Sequence, residues 1–386
     1  MRFAEAVGMT RPALGGAGEA TAIGIEFEVE GGDRYQTAGR PPIARFDIKH
    51  DGSLRGVAFE FVSSVMSRAV AETAVPAFCA VAREYQFTYS TRTSTHIHVN
   101  VRDITCEAVA LMVVAAAALE CSLYRMCDVS RRINQFCVPL SQQATISSFV
   151  SGIVHDLPQY LRRPPHVRTQ KPAIGKYSAL STHRLYDYGT LEYRVLHGTN
   201  DEVRVLLMID ALLAIKQWAV HSSAEEAAGL LLGKYSDIED VIFGENLARR
   251  IRAASLGGAL PSSEKDCVDI ARAALLATKM NDSAGMQYPY DVREADGVPP
   301  MPARIREFTR EYVGMPGIGS DMRRLLRGIK PGDTRFGFTR RQDDDTVYEH
   351  TLLVPYEPEN STWAMLASYK IAADTRADEV AFEIGV

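Results

Sequence analysis

The sequence predicts an α+β protein built on a largely antiparallel sheet, and three observations carry that prediction. Stretches such as Ala22–Glu30 (AIGIEFEVE) and Ser94–Val101 (STHIHVNV) alternate with period two, as half-buried strands do. Two early strand patterns flank a turn-forming Asp51-Gly52 pair, which signals a hairpin and therefore antiparallel pairing. Longer stretches with apolar residues at helical spacing separate the later strands.

Taken in order, residues 1–20 form a Gly- and Ala-rich lead without the apolar core of a signal peptide. The first strand puts Glu26, Glu28 and Glu30 on one face. RFDIKHDGSLRGVAFEFVSS reads as a strand, a turn at Asp51-Gly52 and a second strand at Val57–Val62, with Glu60 set between Phe59 and Phe61. Helices are expected at Ser67–Tyr85 and at Asp103–Cys127, the second with Asp103 as its N-cap. The apolar run Ala108–Leu119 inside it has 12 residues. A bilayer span needs roughly 20, so the run reads as a buried helix and no membrane association is expected.

After a mixed region containing Pro164 and Pro165, Gly189–Leu196 is a further strand. Thr199 and Glu202 have capping-box spacing and open a long helix through Val203, Leu207, Leu212, Ile215 and Trp218. Helices follow near Tyr235–Ala254 and Ser262–Thr278. Asn281–Pro302 is a Pro/Gly-rich loop or linker, followed by a helix near Ala303–Val313, short strands and an acidic tail. The expected division is a core over residues 1–225 and a mainly helical region over 226–386, able to complete that core, with no function assigned.

The chain has 386 residues, of which 46% are hydrophobic and 24% charged, so it belongs with ordinary globular proteins. Its net charge of −5 offers no basic excess for a phosphate backbone, and nucleic acid is not an expected partner. Six cysteines without a CxxC pair read as reduced thiols, which sets the expectation of a cytoplasmic protein. Gly175-Lys176 is followed by Tyr177 rather than Ser or Thr, so it is not a P-loop; HExxH and GxSxG are absent. Arg323, Arg324, Arg327 and Lys330 read as a solvated helix end, and Asp343–Asp345 as a loop.

Four strands carry chemically active residues: Glu26, Glu28 and Glu30; Glu60; His96, His98 and Asn100; Glu192 and Arg194. Alternate residues of a strand lie about 6.5 Å apart, close enough for neighbours to share a cation. Each pattern has a plain reading. Alternating Glu usually marks a solvated sheet face, and Glu192 with Arg194 can be a surface ion pair. Jointly they say more. Two imidazoles on one face serve packing poorly, and a carboxylate between two Phe needs a partner if it points inward. Paired His with an acid suits Zn²⁺, and a carboxylate-dominated set suits Mg²⁺ or Mn²⁺; here the acids outnumber the histidines.

The ordered set GIEFEVE, DGSL…FEFVSS, HIHVNV, RRINQFCVPL, KYSALS and TLEYRVLHGT resembles the amidoligase family of bacteria and phages. These are carboxylate–amine ligases related to glutamine synthetase and glutamate–cysteine ligase. The resemblance covers about residues 22–220. It implies an antiparallel sheet curled into a funnel with helices on its outer face. It also implies ATP as co-substrate and Mg²⁺ or Mn²⁺ held by Glu26, Glu28, Glu60, Glu192 and a His of the HxH strand, joined by Asp51. The HxH pattern favours His96 as that ligand, while pairing His98 with Asn100 would favour His98.

By the same resemblance Arg194, together with Glu60, is catalytic, with Arg194 on the transferring phosphoryl group. Asn100, Arg131 or Arg132, Asn134, Lys176 and Tyr177 are expected on ATP or substrate. KYSALS departs from the family's usual Asn by carrying Ser181. The reaction implied is amide formation between a carboxylate-bearing and an amine-bearing substrate, an amino acid, peptide or protein terminus, through an acyl phosphate. Oligomeric association is compatible with it. Two competing readings are a zinc hydrolase using His96, His98 and an acid, and an inactive binding protein that kept the ligase fold, which Ser181 and the long C-terminal region motivate.

Overall fold

The computed structural model describes residues 1–9, 12–49, 52–143, 145–157 and 171–282, together with four strand segments beyond residue 334. The chain forms two compact units, Met1–Met280 and Asn281–Val386. The first unit is a helix-and-antiparallel-sheet structure, as the strand patterns predict.

Its sheet has six strands: β1 (Ile23–Val29), β2 (Phe46–Lys49), β3 (Phe59–Ser63), β4 (Ser94–Asn100), β5 (Leu180–Ser181) and β6 (Thr190–His197). Their order is β2-β3-β1-β4-β6-β5, every pairing is antiparallel, and the sheet is open, since β2 and β5 lie at opposite edges. Alternation sorts the two faces. On β1, Ile23, Ile25, Phe27 and Val29 are buried against the helices, while Gly24, Glu26 and Glu28 point to the other face. Phe27 stacks on Phe78 at 3.8 Å, and Tyr35 meets Phe59, Phe61, Tyr85 and Phe87 edge-on. Each such ring contributes about 1.5–3 kcal/mol by burial.

Helix Arg68–Glu84 lies in this layer, capped by Ser67, whose hydroxyl accepts from Val70 N. Helix Cys106–Ala118 is apolar all round from Ala108 onward because that part is enclosed on all sides, with helix Glu202–His221 packed against it. Several boundaries differ from the sequence expectation for local reasons. Thr105, not Asp103, caps the central helix, because its hydroxyl accepts from Ala108 N at 3.1 Å. That helix ends at Leu119 and restarts as Glu120–Arg125. Asp201, not Thr199, caps Glu202–His221, accepting from Arg204 N at 3.1 Å.

The expected helix Tyr235–Ala254 is two helices, Tyr235–Phe243 and Glu245–Ala253. They are divided at Gly244, whose φ of 75° lies in the left-handed region open to glycine. These two, Ala224–Leu231 and Glu264–Asp282 contribute buried side chains to the same core, so the first unit continues past residue 225. In the second unit the described segments pair as one antiparallel sheet, β7 (Arg335–Phe338), β8 (His350–Leu353), β9 (Met365–Tyr369) and β10 (Val380–Ile384), in the order β10-β9-β8-β7. Short strands were expected after Val313, and the described segments beyond residue 334 are strands. The expected helix at 303–313, the Asn281–Pro302 loop, the basic cluster 323–330 and Asp343–Asp345 lie outside the described residues. No helix of the described residues is long and apolar enough to cross a membrane. All six cysteines are free and buried.

Candidate functional site

The sheet face opposite the helices carries a continuous polar ladder. Register fixes its order: Lys49 lies opposite Glu60, Glu60 opposite Glu28, Glu26 opposite His96, His98 opposite Glu192, and Glu192 opposite Ser181. Alternation therefore brings the charged residues of five adjacent strands to one face, while their neighbours fill the core. Between Thr95 and Ile97 the register of β4 on β6 shifts. Leu196 pairs with Thr95 and Tyr193 with Ile97, so β6 carries an extra residue opposite His96. Such a bulge bends the strand and re-aims its side chains, and here it falls beside Arg194.

Glu28, His96, His98, Glu192 and Arg194 are all buried, and Glu26 is half-buried. Each imidazole is fixed by a different partner. His96 Nε2 is 2.6 Å from the Ser94 hydroxyl, which in turn donates to Glu28, and His96 Nδ1 is 3.2 Å from Glu26 Oε2. Both its ring nitrogens are engaged. His98 Nδ1 is 3.1 Å from Thr190 Oγ1, whereas its Nε2 is buried without a hydrogen-bond partner, 3.3 Å from Glu26 Oε1. Arg194 donates to Glu192 and, at 3.4 Å, to the Phe136 carbonyl.

Burial alone would push the Glu26 carboxyl up. The His96 hydrogen bond and the charges of His96 and His98 outweigh it and hold Glu26 well below the usual carboxylate range. Glu192 follows the same pattern, with His96, His98 and Arg194 overcoming desolvation. Burial lowers the His98 imidazolium, but Glu26 and Glu192 raise it above the ordinary histidine value.

Glu26, His98 and Glu192 each offer a donor atom, all within 4.8 Å of one another, a spacing at which one divalent cation can be shared. The unpartnered Nε2 of His98 completes the fit. When Nδ1–H donates to Thr190, the Nε2 lone pair is free for a metal, the arrangement by which bound histidines are usually oriented. Three ligands, two of them carboxylates, suit a hard cation better than a soft one.

An open cleft of about 850 Å³ runs over this ladder. Of the residues expected from the sequence, it is lined by Glu26, Glu28, Glu60, His96, His98, Glu192, Arg194, Lys176 and Tyr177. Others stand elsewhere. Arg131 is buried and donates from Nε and Nη2 to the Arg194 carbonyl at 3.0 and 2.6 Å. Arg132 donates to the carbonyls of Tyr124, Cys127 and Ala259. Asn134 holds the Thr91 carbonyl and the Phe136 N–H. These three, expected on substrate, bond to backbone groups instead: Arg132 finds three carbonyl acceptors, whereas Arg131 finds one and keeps Nη1 buried without a hydrogen-bond partner.

Asn100 is removed from the cleft. Its amide donates to Glu19 and Asp103 and its carbonyl accepts from Arg102 N. Glu30, sharing the β1 face in sequence, accepts from Arg55 N beyond the strand end. Ser181 is buried beside Glu192, and its hydroxyl accepts from His183 N at 3.1 Å. Asp51 lies outside the described residues.

Sequence reasoning missed Lys49, Arg92, Ser94, Phe136, His183 and Arg184, which also line the cleft. Ser94 was findable: it shares the period-two face of His96 and His98. Lys49 follows only once β2 is registered on β3 opposite Glu60. Arg92, His183 and Arg184 sit outside the six strands, where no periodicity marks them.

Residues 44–216 match the model of a family described as "Putative amidoligase enzyme". The match takes in β3, β4, β5 and β6, with Glu60, His96, His98, Glu192 and Arg194, and begins after β1. No curated protein matches the chain.

Proposed function

We propose, from the match of residues 44–216 to the amidoligase family model, that the protein joins a carboxylate to an amine at the expense of ATP, through an acyl phosphate. The observation that carries this is the pairing of a carboxylate ladder with cations in one cleft: Glu26, Glu28, Glu60 and Glu192 beside Lys49, Arg92, Lys176, Arg184 and Arg194. A metal–triphosphate substrate needs both signs, acids for the cation and bases for the phosphate oxygens. On this reading the open sheet forms the wall of the funnel expected from glutamine synthetase and glutamate–cysteine ligase.

In this proposal Glu26, His98 and Glu192 hold a Mg²⁺ or Mn²⁺ ion, with Glu28 and Glu60 extending the donor set. Of the two histidines, His98 is the ligand, because its Nε2 is unpartnered while both nitrogens of His96 are engaged. The ion's chemistry is to offset the repulsion between a substrate carboxylate and the triphosphate. Arg194, held at the cleft wall by Glu192, contacts the phosphoryl group in transfer. Lys176 and Tyr177 line the nucleotide, and Phe136, in edge-on contact with Tyr177 at 5.6 Å, gives an aromatic surface for the base. A zinc hydrolase would use both imidazoles, and only one is free to ligate.

The test is to incubate the full chain with Mg²⁺, ATP and panels of amino acids and peptides, and to follow ADP and amide together. Glu192→Gln is expected to abolish both while the circular dichroism spectrum is retained. Amide formed without ATP overturns the proposal.

A further inference from the structure

A second cavity, of about 270 Å³, opens on the same sheet face and shares Glu26, Lys49 and His98 with the cleft. Its character differs. Beyond the shared residues its walls are mainly apolar, with Ala13, Ala22, Gly24, Val62 and Val65, and are edged by the polar Ser63, Asn100 and Thr190. Among its described residues the one further cation, Arg102, is engaged with the Tyr188 carbonyl at 2.6 Å. Phosphate oxygens are matched by the cation-rich cleft, not by this cavity.

Gly24 forms part of the floor. It lies two residues before Glu26 on the site face of β1 and directly across from His98. A Cβ added there would meet the His98 Cβ at 3.6 Å, an ordinary contact, and nothing else within 4 Å. The backbone therefore does not demand glycine. Its effect is on space, since any longer side chain at this position would project into the cavity. A glycine inside a strand commonly marks a place where a ligand approaches closely. Lys49, reached from both cavities, sets a positive charge at their junction, where a carboxylate lying in the apolar cavity would present its reacting end to the phosphates.

We propose that this cavity binds the aliphatic body of the carboxylate substrate, and that Gly24 limits how large that body can be. The chemistry rests on the ligase reading above; the binding site does not. A carboxylate oxygen attacks the γ-phosphorus of ATP and the bond to the β-phosphate oxygen breaks, releasing ADP. An amine nitrogen then attacks the acyl carbon, phosphate leaves, and the amine proton passes to solvent. Hydroxylamine can stand in for the unidentified amine, giving a hydroxamate.

The experiment uses the full chain and two readouts. Ligand-observed NMR measures binding of hexanoate, acetate and L-glutamate, and calorimetry measures Mg·ATP. Hexanoate is expected to bind at least tenfold more tightly than acetate or glutamate. Gly24→Leu should weaken hexanoate at least tenfold with Mg·ATP affinity within twofold, and Gly24→Ala, the milder variant should Gly24→Leu fail to fold, should fall between. Equal binding of the three acids, or a Gly24 variant that weakens Mg·ATP and leaves hexanoate unchanged, overturns the inference. Hydroxamate formation is scored separately. Gly24-dependent hexanoate binding with no hydroxamate would sustain the site and overturn the ligase reading.

Discussion

His96 and His98 are two residues apart on one strand face, yet their neighbours give them different tasks. Ser94 and Glu26 hold both nitrogens of His96, while Thr190 holds only Nδ1 of His98. The HxH pattern was legible in the sequence; the choice between its members was not, because it depends on Thr190 being carried in from β6. His98→Ala is expected to weaken Mn²⁺ binding roughly 10–100-fold by titration, the scale on which ligand or orienting groups act. His96→Gln should cost affinity less and folding stability more. A third histidine supplies a pH test. His197 Nδ1 accepts from Asp128 N at 3.2 Å, so it is unprotonated. Burial, then the Arg204 charge, pushes its pKa down to about 4. A base depressed on folding favours the native state above its unfolded pKa, near 6.5, and loses that contribution as pH falls through 4. The loss is about 3 kcal/mol between those limits. His197→Asn should flatten this part of the denaturant-midpoint profile, and an unchanged slope would contradict the assignment.

At the scale of elements, strands were easier to read than helix ends. Period two exposes a strand one face of which is buried, whereas a helix end depends on which hydroxyl or carboxylate reaches a backbone N–H. Asp103 shows why. It has the residue type of an N-cap and stands near the right place, but it accepts both from Asn100 and, at 2.8 and 3.0 Å, from the buried Lys216 ammonium. Lys216 comes from helix Glu202–His221, more than a hundred residues away, and that contact outcompetes the local one. The pair ties this helix to β4 through Asn100. Lys216→Met is expected to lower stability by about 2–3 kcal/mol in denaturant titration, since it leaves Asp103 partly buried without its counter-charge. Glu120, at the start of helix Glu120–Arg125, is the second such tie. Its carboxylate accepts from Leu140 N, Ser141 N and the Ser141 hydroxyl. Glu120→Ala would strand these donors in the core and should destabilise the unit by about 3 kcal/mol or more.

At the scale of the molecule, the sheet sums local choices into a field. Charged residues that look like scattered polar positions in the sequence converge because five adjacent strands all turn the same parity outward. The order of motifs conveyed this convergence; Arg131, Arg132 and Asn134 did not follow it, because a motif's place along a chain does not say whether a side chain faces a cleft or bonds to the backbone behind it. Every described residue of the cleft lies between Glu26 and Arg194, within the Met1–Met280 unit. Cation binding should therefore belong to that unit alone. A ligand at 100 times its dissociation constant stabilises the native state by about 2.7 kcal/mol, which for a unit of this size raises Tm by roughly 5–10 °C. The full chain and a chain ending at Asp282 are both expected to show this rise with Mn²⁺, and the Glu26→Gln/Glu192→Gln double variant should show almost none in either form. A rise confined to the full chain would mean that residues after 282 supply a ligand, and would move the metal site away from the β1–β4–β6 ladder.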